Sequence, residues 1–145
     1  MTHAHTTTAR FTVAAWKEEV VVDIDHEGQE INGVTYPKRG FSRADVSYAY
    51  SGSIEGTSTL AYLISYRPGS APVTGFEQFT GSVDGHDGSM VLQHVGEHDA
   101  EGVRATLQVV PGMGTGGLET LTGAATLEIA GHSDTGYEIT LAYDL

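Results

Sequence analysis

Two stretches, Val91-Leu-Gln-His-Val-Gly-Glu97 and Val109-Val-Pro-Gly-Met-Gly-Thr-Gly-Gly-Leu118, decide how this chain is read. They are strand-like runs meeting at a glycine-dense turn, and the turn contains Gly112-Met-Gly114-Thr-Gly-Gly117, a match to the dinucleotide pattern G-x-G-x-x-G. That pattern holds a pyrophosphate only when a strand precedes it and a helix follows it inside a parallel βαβ unit. Here the following residues, Leu118 to Ala130, carry Gly123 and threonines in strand alternation. They offer no helix end to a phosphate, so the stretch reads as a glycine-rich connection between strands.

Working outward, the same period of two runs through most of the chain. Phe11, Val13 and Ala15 fall on one side of a first run, and Val46, Tyr48 and Tyr50 on one side of the next. Tyr62, Ile64 and Tyr66 share a face before Arg67-Pro-Gly-Ser-Ala-Pro72 interrupts. Glu77, Phe79, Gly81 and Val83 lead to the turn Asp84-Gly-His-Asp-Gly88, and Met90, Leu92, His94 and Gly96 follow it. Val103 to Val109, Leu127 with Ile129, and Tyr137 to Tyr143 alternate likewise. About eight strands joined by short glycine turns predict an all-β fold, a single antiparallel barrel closed on itself, which also removes exposed strand edges. The chain reads as one domain, 1–145, with 17–40 as a long acidic connection that could lid one mouth, and within it Glu18 to Asp25 could be a strand or an excursion of the first one.

Composition narrows the function. With no cysteine, disulfides and thiolate ligands or nucleophiles are excluded. A net charge of −12, with seven Lys and Arg, argues against nucleic acid and anionic membranes, because no basic stripe exists to release counterions. Neutral or cationic small ligands are easier to accept. The N-terminal residues lack the apolar core of a secretory signal, and no run reaches the roughly 18 apolar residues of a membrane span, so a cytoplasmic protein is expected.

The chain resembles domain-of-unknown-function family 3224. The residues that carry the likeness are Phe11-Thr-Val-Ala-Ala-Trp16, Tyr50-Ser-Gly-Ser-Ile-Glu-Gly-Thr-Ser58, Tyr62-Leu-Ile-Ser-Tyr-Arg-Pro68, Gly75-Phe-Glu77, Val91-Leu-Gln-His94 and Val110-Pro-Gly-Met-Gly-Thr-Gly116. Met113 stands where the family turn usually has serine, and the first connection is longer than usual. The resemblance implies an allene-oxide-cyclase-like, calycin-like barrel of eight antiparallel strands, among whose relatives are cyclases that fold an apolar substrate inside the barrel. It also implies self-association as a homodimer or homotrimer. It carries over no catalytic residues.

The residues themselves suggest where chemistry would sit. If apolar positions point inward, Glu77 lies inside with Phe79, and His94 lies inside with Leu92. Tyr48, Tyr50, Tyr62 and Tyr66 share inward faces on neighbouring strands. A carboxylate, an imidazole and phenols converging in an apolar barrel can supply a general acid, a base and orienting hydrogen bonds. Glu77, His94 and Tyr66 are therefore the candidate catalytic residues. Trp16, Tyr48, Tyr50, Tyr62, Phe79 and Leu92 are the candidate ligand-binding residues. Seven histidines invite a metal, but His94 and His98 lie about 13 Å apart along one strand face, too far to share an ion. No metal and no cofactor are expected, and no serine sits in a nucleophile elbow. The expected function is a barrel that binds a small apolar organic molecule, a cofactor-independent cyclase or isomerase if it is an enzyme. The alternatives are a non-catalytic lipocalin-like carrier or sensor, and a closed barrel packed solid by its own side chains.

Overall fold

The structure, a computed structural model, describes residues 3–31, 34–130 and 135–145, and among these there is no helix. The strands are β1 (His5–Asp23), β2 (Gln29–Ile31), β3 (Val34–Tyr36), β4 (Gly40–Gly52), β5 (Ile54–Tyr66), β6 (Ser70–Val83), β7 (His86–Asp99), β8 (Gly102–Val109), β9 (Thr115–Gly116), β10 (Thr122–Ile129) and β11 (Tyr137–Asp144). Eight of them form a closed antiparallel barrel in the order β1, β4, β5, β6, β7, β8, β10, β11 and back to β1. From β4 onward this is a meander, and β1 closes it by pairing with both β4 and β11. The short β9 adds to β7, and β2 and β3 form a hairpin of their own.

Local chemistry explains the joints. Val83 pairs with His86, which leaves Asp84-Gly85 as a two-residue hairpin loop. Both loop residues have positive φ, 50° and 85°, the twist that tight hairpins require and that an Asp-Gly pair supplies at low cost. Asp84 then accepts hydrogen bonds from Thr7 Oγ1 at 2.8 Å and from Tyr143 Oη at 2.5 Å, tying this end of the barrel to β1 and β11. Leu118 and Leu121, from the segment after β9, are buried at the same end. Alternation fills the interior with Phe11, Leu60, Phe79, Leu107 and Leu141, each all but sealed from solvent. Burying a side chain of this size is worth about 1.5–3 kcal/mol.

One strand departs from simple alternation. Ala15 does not share the face of Phe11 and Val13, because β1 shifts register against β4 between Val13 and Ala15. A bulge of this kind changes the phase of a strand. Trp16 and Glu18, opposite Val46 and Ala44, therefore follow Val13 onto the inner face, and Ala15 turns outward opposite Ser47. Residues 17–23 continue β1 along β4, and the chain then turns into the β2–β3 hairpin. Arg39 clips the base of this excursion to Asp25 through two hydrogen bonds, 2.7 Å from Nε and 2.5 Å from Nη2. The guanidinium holds the Asp25 carboxyl below the usual range.

Candidate functional site

The end of the barrel away from Asp84 is hollow. A cavity of about 720 Å³ enters there, within the 300–1,000 Å³ usual for small-molecule sites. Its walls are apolar, including Val13, Ile64, Val73, Val103, Ala105 and Leu127. Its buried floor carries Tyr48, Tyr62 and His94. Around the mouth stand Glu18, Gln29, Tyr36, Tyr66, Arg67, His98 and Asp99, so the β2–β3 hairpin contributes Gln29 and Tyr36 to the rim.

The floor is one hydrogen-bonded chain. Tyr48 Oη lies 2.8 Å from Tyr62 Oη, and Tyr62 Oη lies 3.1 Å from His94 Nδ1. His94 Nε2 lies 2.7 Å from Glu77 Oε1, and Tyr50 Oη donates to Glu77 Oε2 at 2.5 Å. A carboxylate only accepts, so His94 donates its Nε2–H to Glu77, and as a neutral ring it offers Nδ1 as an acceptor. With that tautomer Tyr62 donates to Nδ1 and accepts from Tyr48. Every donor in the chain points toward Glu77. Burial pushes the Tyr48, Tyr50 and Tyr62 phenols well above the usual tyrosine range, and the negative Glu77 adds to this. All three phenols stay neutral donors at ordinary pH.

A glycine makes the reach across β6 possible. Gly75 pairs with Tyr62 on one side and His94 on the other. A Cβ on Gly75 would lie 2.9 Å from the Tyr62 ring and 2.1 Å from the Ala61 carbonyl oxygen. The missing side chain is thus the space through which Tyr62 and His94 meet. Close approach of this kind is the usual meaning of a glycine inside a strand.

The structure separates the candidate residues by depth. His94, Tyr48, Tyr62, Tyr66 and Trp16 line the cavity. Glu77, Tyr50, Phe79 and Leu92 are buried and do not line it. Glu77 sits behind His94 and touches it through Nε2. Tyr66 is at the mouth, where it donates to Glu18 Oε2 at 2.6 Å, away from the His94 chain. Burial first, and then that bond to the Glu18 carboxylate, raises the Tyr66 phenol. Glu18 is the residue sequence reasoning missed. It also accepts from Ser42 Oγ at 2.5 Å and from Trp16 Nε1 at 3.1 Å. Carrying the period of two through a bulge at Ala14 would have placed it inside. Among the described residues no group of three or more His, Asp or Glu is placed to hold a metal ion.

Fold and site together define a closed antiparallel barrel whose cavity ends on a tyrosine–histidine–glutamate chain. The protein belongs to the family described as protein of unknown function (DUF3224), which it matches over residues 7–141. A solved relative, a protein of unknown function from the DUF3224 family of Shewanella oneidensis MR-1, is 22% identical, with a TM-score of 0.66 over 97% of this chain and 96% of that one. That likeness concerns the fold. No curated protein matches the chain. Among the described residues no helix is long and apolar enough to cross a membrane.

Proposed function

We propose that the barrel binds a small, largely apolar organic molecule and acts on it as a cofactor-independent cyclase or isomerase. The observation that carries the reading is a cavity of about 720 Å³ whose floor carries Tyr62 and His94, with Glu77 bonded behind them. A proton on carbon beside a ligand carbonyl passes to Tyr62 Oη as Tyr62 gives its own proton to His94 Nδ1. Glu77 faces the imidazolium that forms. Tyr48 turns its single O–H from Tyr62 to the oxygen on which charge develops, and return of the proton to another carbon completes an isomerisation. Positioned acid–base groups of this kind contribute typically 10²–10⁴-fold, and the apolar walls hold one reactive conformer away from water. The resemblance to allene-oxide-cyclase-like barrels supports the same reading.

The test is hydrogen–deuterium exchange at the α-carbon of a cyclic enolisable ketone in D2O, followed by NMR. Exchange above the buffer rate is expected, falling about 10²–10⁴-fold in Tyr62→Phe and in His94→Ala. Exchange that both variants retain would remove the assigned roles. A second reading, a carrier without turnover, is favoured by the fact that the floor phenols and imidazole already bond one another. Stoichiometric ketone binding with no exchange would establish it in place of the enzyme.

A further inference from the structure

We propose that the mouth of the cavity is a subsite for a protonated amine or quaternary ammonium group on an otherwise apolar ligand, with Glu18 as counter-ion. This rests on the cavity being a ligand site and names what part of the ligand it selects.

Three donors converge on Glu18: Ser42 and Tyr66 hydroxyls on Oε2, and the Trp16 indole N–H on Oε1. Ser42 and Tyr66 occupy Oε2, while Oε1, with one partner, keeps a lone pair free. None of the ion pairs among the described residues involves Glu18. A half-buried negative charge therefore lines the cavity without a cation of its own.

The surroundings are aromatic. Trp16 lies with its ring centroid 6.3 Å from that of Tyr62, and Tyr36 stacks on Tyr66 at 5.5 Å. All four rings line the cavity. Ring faces attract a cation within about 6 Å, most strongly for tryptophan and for partly desolvated sites. Glu18 is joined to two of these rings through the Trp16 N–H and the Tyr66 hydroxyl, and a carboxylate in such aromatic company fits an ammonium head. The other charged lining groups are Asp99, paired with Arg104 at 2.5 Å, and Arg67. Arg67 is exposed, with Nε on Ser70 Oγ, so solvent and salt screen it more than they screen Glu18. The net charge of −12 draws cations toward the molecule as a whole.

The subsite carries its own reporter, since Trp16 is the single tryptophan of the chain. The protein is titrated with octyltrimethylammonium, octanoate and n-octanol below their aggregation limits, following tryptophan fluorescence and heat. The ammonium is expected to bind at least tenfold tighter than the other two. Glu18→Gln is expected to erase that advantage of the ammonium over octanol. Octanoate binding as tightly as the ammonium overturns the inference without reference to any variant, and so does an ammonium preference that survives Glu18→Gln. In both cases octanol binding keeps the cavity reading intact. If none of the three binds, the cavity reading falls with it.

Discussion

Glu77 is sealed from solvent, and a lone carboxylate in such a place is ruinously expensive. It is tolerated because the Tyr50 hydroxyl and the His94 ring nitrogen occupy its two oxygens. Tyr50 does not line the cavity, so its part in this is to keep the carboxylate partnered. Tyr50→Phe leaves Oε2 without its donor at nearly unchanged volume. The expected loss is about 1–3 kcal/mol of unfolding free energy, read by urea denaturation, with ligand affinity retained. A neutral Tyr50→Phe would mean another donor takes over Oε2. The inward faces of Glu77, His94 and the tyrosines were legible from alternation alone. Their depth was not. Glu77 sits opposite Leu92 while His94 sits opposite Gly75, and only that register puts one carboxyl behind the imidazole and away from the cavity.

At the scale of the element, β6 is the strand on which the site turns, since it carries Glu77 and passes between Tyr62 and His94. Gly75→Ala would press a methyl against the Tyr62 ring and the Ala61 carbonyl at distances no real contact allows. Overpacking of this sort costs about 1–3 kcal/mol. The variant is expected to unfold at lower urea and to lose cavity binding through displacement of Tyr62. Full stability and full binding together would show that β5 and β6 separate there freely. Turns such as Asp84-Gly85 were legible because their backbone demands particular residues. The long run of β1 past Trp16 was only partly legible, because two register shifts break its alternation and its charged residues read as a connection as readily as a strand. That ambiguity hid the inward place of Glu18. The two-residue β9 was also invisible, since its pairing to Gly88 and Ser89 is long-range and its sequence is that of a turn.

For the whole molecule, the closed barrel concentrates its ionisable strain in tyrosines, and this sets how stability responds to pH. The acidic pairs that hold carboxyls below their usual range, Asp25 with Arg39 and Asp99 with Arg104, are on the surface, where such pairs contribute little. The phenols are different. Burial, helped by the bond to Asp84, pushes Tyr143 up to about 12, and burial raises Tyr48, Tyr50 and Tyr62 further. A folded value above the unfolded one, about 10 for tyrosine, means that the native state holds the proton more tightly. The stabilisation is whole below pH about 10 and is lost as pH rises through the folded values, at about 1.4 kcal/mol per pH unit for each phenol withheld from ionisation. Several phenols withheld at once make the decline steep. The barrel is therefore expected to unfold before its interior tyrosines titrate. Phenolate absorbance should lag behind that of free tyrosine above pH about 10, and then rise in one cooperative step together with loss of the β-sheet circular dichroism. A smooth, reversible titration centred near the free value with the sheet signal intact would mean that water reaches the phenols in the folded state. The Tyr48–Tyr62–His94 floor would then be wet, contrary to the burial on which the proposed chemistry depends.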